Sequence, residues 1–247
     1  GFKAAVMGGF ANSASLIGKP DLSILTMTEM VHVIKRITGV SPLPLICDGD
    51  TGFGGEFNAS RCVREYELAG ASAIILEDQV YPKRCGHLQG KSVISKEEHA
   101  KKIEIAKKEA KDILVFARTD AAGVLGFDEA IKRGLYYLRA GADGIFIEAP
   151  KNEDELCIIA RHFKGETLIA NMVEGGKTPV LPLESLKKIG FKIVFYALTG
   201  LFLYVKSLQK GYKTLLEKGS SLDLYDDMVK FDEFNEFKNL KDYLKKF

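Results

Sequence analysis

The sequence has only four cysteines, Cys47, Cys62, Cys85 and Cys157, and no two stand at the C-x-x-C spacing of a zinc site or a thioredoxin-type pair. Thiols so few and scattered suit a reducing compartment, and the expected location is the cytoplasm. No apolar run reaches the roughly 18 residues of a membrane span. The most apolar stretch, from Ile193 to Val205, is broken by Thr199 and Gly200. No secretory signal is visible. Charge of one sign is scarce too: 35 basic side chains against 33 acidic ones leave a net +2. That balance gives no reason to expect a nucleic acid or an anionic membrane as partner. An initiator methionine is also lacking, which fits a processed or partial chain.

What is present is an alternation. Short apolar runs, Ala4–Met7, Pro44–Cys47, Ser72–Leu76, Ile113–Ala117, Gly144–Ile147, Leu168–Met172 and Ile193–Leu198, lack a polar face. This suits parallel strands buried on both sides. Helical patterns lie between them, over Thr28–Thr38, Ala59–Ala69, Lys96–Ala110, Phe127–Ala140 and Glu153–Phe163. Ser95 and Asn152 stand where helices should start, and Gly70, Gly141 and Gly190 where they should end. The rhythm predicts a single α/β domain over residues 1–247, with a helical extension from about residue 219. A (β/α)8 barrel needs eight strands. Seven are visible, which a doubly wound open sheet could also have, so a first strand is expected upstream of Gly1. Two helical segments, Leu201–Lys218 and Leu222–Phe247, close the chain. The second carries Phe231, Phe234, Phe237, Leu240, Tyr243 and Leu244 at helical spacing, a core or subunit-contact stripe.

Barrel chemistry gathers at the carboxyl ends of the strands, and here those ends are polar: Gly8-Gly9, Asp48-Gly49-Asp50, Glu77-Asp78-Gln79, Arg118-Thr119-Asp120, Glu148 and Asn171. Two aspartates at strand period 2 should point to one side, roughly 6–7 Å apart. At an effective dielectric of about 20 they repel by roughly 2–3 kcal/mol. Asp48-x-Asp50 alone reads equally as solvent-facing acids or as metal ligands. Glu77 on the next strand tips the balance toward a hard cation, Mg²⁺ or Mn²⁺. Lys83-Arg84-Cys85-Gly86-His87 packs two cations, a thiol and an imidazole together. Nearby cations should favour the Cys85 thiolate, although a plain basic turn has the same composition. Arg118 suits bidentate carboxylate binding, or an ion pair with a neighbouring acid. Thr51-Gly52-Phe53-Gly54-Gly55 is not a Walker loop, since no Gly-Lys-Ser/Thr follows.

Taken together, Asp48-x-Asp50-Thr-Gly-Phe-Gly, Glu77-Asp-Gln, Lys83-Arg-Cys-Gly-His, Ala117-Arg-Thr-Asp-Ala and Asn171-Met-x-Glu-Gly-Gly-x-Thr-Pro179 resemble the isocitrate lyase/phosphoenolpyruvate mutase superfamily. The resemblance covers essentially the whole chain. It implies an α/β barrel whose last helices swap between subunits, in a homotetramer built as a dimer of dimers, acting on a small carboxylate. It places Mg²⁺ at Asp48, Asp50 and Glu77, partly through water. Catalysis falls to Cys85 as general acid on a closing loop, with Lys83, Arg118 and Glu148. Gly8, Gly9, Gly86, His87, Asn171 and Arg118 line the substrate pocket. Gln79 and Cys85 follow the lyase pattern, implying cleavage of a 2-hydroxy di- or tricarboxylate. Oxaloacetate hydrolysis, phosphonomutase chemistry and carboxylate binding without turnover are the alternatives. One stretch departs from the pattern. Family lyases read Tyr-x-Ser/Thr-Gly at the first visible strand end, where this chain has Val6-Met7-Gly8-Gly9 followed by Phe10. No general base is therefore assigned.

Overall fold

The computed structural model describes residues 1–245; Lys246 and Phe247, the end of the expected last helix, lie outside the described residues. The chain divides into two compact units, Gly1–Thr199 and the residues from Gly200 onward.

In the first unit seven strands lie parallel in chain order, each hydrogen-bonded to the next. They are β1 (Ala5–Met7), β2 (Leu45–Asp48), β3 (Ala73–Glu77), β4 (Leu114–Thr119), β5 (Gly144–Ile147), β6 (Leu168–Asn171) and β7 (Ile193–Phe195). Each falls on one of the seven apolar runs. Strictly sequential order has no switch point, which excludes the doubly wound sheet. The arrangement is a nearly closed, TIM-type α/β barrel. Its helices are α1 (Gly9–Ile17), α2 (Met27–Thr38), α3 (Glu56–Leu68), α4 (Lys96–Glu109), α5 (Phe127–Arg139), α6 (Glu153–His162) and α7 (Leu183–Ile189).

Period-2 alternation sorts the strand residues into two cores. Leu45, Cys47, Ile74, Leu76, Val115, Ala117, Ile145, Ile147, Leu168 and Ala170 face the helices. Ile46, Ala73, Ile75, Phe116, Phe146, Ile169 and Phe195 fill the barrel interior. Because both faces are buried, neither could carry the polar alternation of a half-exposed strand. Helix starts follow local chemistry. Thr26 and Glu29 close a reciprocal capping box on α2, and Ser95 and Asn152 accept backbone N–H groups at the starts of α4 and α6. Asp78, whose side chain points to the helix side, ties α5 to the sheet. It accepts from Thr119 Oγ1 (2.6 Å), Asp120 N (2.9 Å), Arg133 Nη1 (2.9 Å) and Tyr137 OH (2.8 Å).

The second unit holds most of α8 (Thr199–Lys218), a short 3-10 segment at Leu222–Asp227, α9 (Phe231–Phe237) and α10 (Leu240–Leu244). The single helix expected from residue 222 is thus broken. Met228 is extended and Asn239 is left-handed. Its apolar stripe is not a core: Phe231 is 81% and Phe237 76% exposed.

Candidate active site

The inner files of the strands run straight into the site. Two residues beyond Val6, Ile46, Ile75, Phe116, Phe146, Ile169 and Phe195 stand Gly8, Asp48, Glu77, Arg118, Glu148, Asn171 and Ala197. Side chains two apart on a strand share a face, so the residues that fill the barrel are continued by residues that crown it. A cavity of about 80 Å³ opens there, lined by Gly8, Gly9, Asp48, Arg118, Glu148 and Asn171, with Asp21 beside them. Cys85, Gly86 and His87 line the same cavity, and Phe10, Ala11, Val173, Ala197 and Leu198 make an apolar wall.

Asp48 accepts from the backbone N–H groups of Gly9 (3.0 Å) and Asp50 (2.9 Å). Burial pushes its pKa up, but Lys83, Arg118 and these N–H groups outweigh burial and hold it below the usual carboxylate range. Asp50 is not reached by strand geometry. β2 stops at Asp48, and Asp50 follows a turn with φ 47°. Gly49 permits the turn, since a Cβ there would meet the Ile74 side chain at 2.7 Å. The expected spacing of two aspartates along one strand therefore does not apply. Lys83, almost fully buried, lies below the cavity, 2.8 Å from Asp21 and 2.9 Å from Asp50. Burial raises Asp50 to about 6, with Lys83 opposing the rise. Burial also pushes Glu77 well up, although Arg118 Nη1 is 3.2 Å away.

These groups form a candidate cation site. Oε1 of Glu77 is buried with no donor beside it, whereas its Oε2 and Oδ1 of Asp50 are buried without an aligned hydrogen bond and face only the Arg118 and Lys83 cations, at 3.2 and 2.9 Å. Among the described residues, no three His, Cys, Asp or Glu side chains are grouped to hold an ion directly. That rules out a closed zinc-type cage. It is compatible with Mg²⁺, which keeps several waters and takes only one or two carboxylates. The donor set fits a hydrated hard cation.

Above the strand ends lies the loop between β3 and α4. Gln79 pins its base: the side-chain amide donates to Arg84 O (2.8 Å), and its oxygen accepts from Arg84 N (3.1 Å). Cys85 N donates to Asp21 O (3.1 Å). His87 Nδ1 accepts from Lys177 N (3.1 Å), so its ring proton sits on Nε2, which faces Glu148 at 3.2 Å. A Cβ on Gly86 would meet Arg118 Nη2 at 2.4 Å and Glu148 Cγ at 2.5 Å. The loop is therefore shut onto the strand ends.

A family model described as phosphoenolpyruvate phosphomutase matches residues 1–216. The petal death protein of Dianthus caryophyllus is 45% identical over 98% of this chain and 77% of its own length. The 2,3-dimethylmalate lyase of Eubacterium barkeri is 44% identical over 98% of this chain and 84% of its own. A crystal structure of a 2,3-dimethylmalate lyase superposes with a TM-score of 0.93 at 31% identity, over 99% of this chain and 82% of that one.

The chain belongs to the phosphoenolpyruvate mutase/isocitrate lyase superfamily.

Within this superfamily frame, the residues singled out from sequence separate into two levels. Gly8, Gly9, Asp48, Cys85, Gly86, His87, Arg118, Glu148 and Asn171 line one cavity, whereas Lys83, Asp50 and Glu77 do not line it. One electrostatic expectation is overturned. The Cys85 thiol is pushed up, chiefly by burial, with Asp21 and Glu148 adding to it and the His87 backbone and Arg118 only partly opposing. The loop cations do not serve as its partners, because Lys83 is paired with acids and Arg84 is bonded to loop backbone. Arg118 is already engaged: Nε and Nη2 grip Asp120 (2.9 and 3.2 Å), Nη2 faces Glu148 (3.2 Å) and Nη1 faces Glu77. Of the five N–H groups of a guanidinium, two are hydrogen-bonded to Asp120, and the ion pair with neighbouring acids, the other reading of Arg118, is present. Sequence reasoning passed over Asp21, which follows Pro20 at the cavity edge, and Lys91, which is bonded to Gly86 O and Asp120. Only long-range contacts reveal them.

Proposed function

We propose that this protein cleaves the C2–C3 bond of a small 2-hydroxy di- or tricarboxylate, of the alkylmalate or methylisocitrate type, with Mg²⁺ as cofactor (Mn²⁺ can substitute). A 2-oxo acid and a second carboxylate are released. One observation carries the reading: a thiol held neutral by burial shares a small cavity with a carboxylate cluster and a guanidinium.

The residues divide the work. A base takes the proton of the substrate hydroxyl, its oxygen forms the C=O of the 2-oxo acid as the C2–C3 bond breaks, and the electron pair of that bond moves onto the departing carboxylate fragment. Cys85 then delivers its thiol proton to that carbon. Such a donor must be protonated until the bond has broken, which is what burial secures. Asp48, Asp50 and Glu77 would hold the cation. When bound, it would polarise the substrate oxygens and lower the pKa of the hydroxyl. Arg118 would orient a substrate carboxylate through N–H groups not bonded to Asp120. Glu148 holds the His87 ring and the Arg118 guanidinium in place. Gly8, Gly9, Gly86 and Asn171 would complete the pocket, and the shut loop excludes bulk water. The apolar wall of Phe10, Val173 and Leu198 favours a substrate with an alkyl substituent. The exposed apolar side chains of the second unit, among them Leu203, Leu216, Phe231 and Phe237, support packing against another copy of the chain, as in a swapped-helix tetramer. No helix among the described residues is long and apolar enough to cross a membrane.

The test is 2-oxo-acid release from a panel of substituted malates, citrates, isocitrates and oxaloacetate with Mg²⁺. Cys85→Ser should lower kcat by about 10²–10⁴-fold, the range of general-acid catalysis, while oxalate binding by calorimetry stays unchanged. Full turnover in that variant removes Cys85 from its role.

A further inference from the structure

Lys91 lies on the return limb of the Cys85 loop, yet its side chain is only 2% exposed. Its ammonium donates to two acceptors from different parts of the fold. One is the carbonyl of Gly86, at 2.5 Å, next to Cys85; the other is Oδ1 of Asp120, at 2.7 Å, just past the end of β4. Asp120 is fully buried and grips Arg118 through both carboxylate oxygens. Burial opposes its charge, but Arg118 and Lys91 together hold its pKa down to about 2. A buried ammonium without partners would be costly, so this one is stable only while the Gly86 carbonyl and Asp120 are both in place.

Little else holds the loop by apolar contact. Val80, Tyr81 and Leu88 are exposed, as are Gln89 and Gly90. A segment with few buried apolar contacts opens readily, so its polar ties decide how often it is shut. The loop is also tied by Lys83 to Asp21 and Asp50, by His87 to Lys177 N and Glu148, and by the Gln79–Arg84 pair. Cys85 and Gly86 themselves are tied to the rest of the fold by the bond from Cys85 N to Asp21 O and by the Lys91 bridge. Of those two, only the bridge carries a charge, and charge-assisted bonds are the stronger kind.

We propose that Lys91 is a positioning residue, the latch that keeps the Cys85 loop shut by joining the Gly86 carbonyl to Asp120. Its place in catalysis rests on Cys85 being the proton donor; its effect on the loop does not. The latch also couples loop closure to the substrate-facing guanidinium, since Asp120 is shared between Lys91 and Arg118.

The experiment is the rate of Cys85 alkylation by iodoacetamide without substrate, read on the Cys85 peptide by mass spectrometry, in the wild type and in Lys91→Met, Lys91→Gln and Lys91→Arg. Losing a charge-assisted bond should speed labelling about tenfold in Lys91→Met, with kcat lowered and KM raised. Removing a cation raises the pKa of a nearby thiol, so faster labelling reports an open loop, not a more reactive sulfur. Lys91→Arg should label more slowly than Lys91→Met. Labelling of Lys91→Met at the wild-type rate overturns the latch, as does equal labelling of the Arg and Met variants. If Lys91→Met does not fold, Lys91→Gln is compared with wild type under the same criterion. Labelling needs no substrate, so absence of turnover on every acid would refute the proposed reaction and leave this result standing.

Discussion

Gly86→Ala is the smallest change that should separate a shut loop from an open one. The added methyl would sit 2.4 Å from Arg118 Nη2, 2.5 Å from Glu148 Cγ and 2.8 Å from its Cδ. Neither neighbour is a free side-chain end, because Arg118 is held by Asp120 and Glu77, and Glu148 by Arg118 and its neighbouring backbone N–H. Overpacking of this kind costs about 1–3 kcal/mol. The open loop does not incur that cost, so the closed-to-open ratio should fall by about five- to 150-fold. kcat/KM on the best substrate should fall by up to that factor. Cys85 should become more reactive toward iodoacetamide, while the urea midpoint should stay near that of the wild type because the barrel cores are untouched. Wild-type kcat/KM and labelling in a folded Gly86→Ala would refute the claim that catalysis needs Gly86 against Arg118.

Three further outcomes follow from buried groups. His99 is fully buried on α4 with its ring edge-on to Tyr137 at 4.6 Å, and burial pushes its pKa down to about 4. A base with a depressed folded pKa contributes stability that is complete above about 6.5 and lost as pH falls toward 4. The loss should be about 2 kcal/mol at pH 5. Urea titrations at pH 7 and pH 5 should show that difference in the wild type and not in His99→Gln; an equal difference in both would contradict it. Asp78→Ala strips Arg133 of its buried partner and should cost about 3–5 kcal/mol in urea unfolding, and a loss below about 1 kcal/mol would contradict the anchoring of α5. Mg²⁺ at about a hundredfold excess over its Kd should stabilise the protein by about 2.7 kcal/mol. Asp48→Asn should lose that gain, and an identical thermal shift in the variant would exclude Asp48 as a ligand.

Much of this site is legible in the sequence because parallel strands buried on both faces leave unbroken apolar runs, and each run of that kind ends at the same end of the barrel. The inner file fixes which strand-end residue faces the cavity, and so separates Glu77, turned inward, from Asp78, turned toward α5. Local rules fail where the geometry is not local. Asp50 leaves the strand through a left-handed turn, so period 2 misplaces it. The Cys85 thiol is raised by burial, and the adjacent cations that could oppose the rise point elsewhere, which composition cannot tell. α1 has only nine residues, six of them small or polar, with no side-chain cap, and α7 has only seven residues; neither carries enough periodicity to stand out. Lys91 and Asp120 are 29 residues apart, and nothing near either residue announces the pair.

Cleavage of a 3-alkylmalate in D₂O tests the central claim most directly, because the carbon released as a new methylene receives its hydrogen from whatever donor faces it. Delivery by Cys85 inside a shut cavity predicts one deuterium, on a single face of that methylene, in the carboxylate product. Deuterium spread equally over both faces, or the same stereospecific labelling at the wild-type rate in Cys85→Ser, would contradict it.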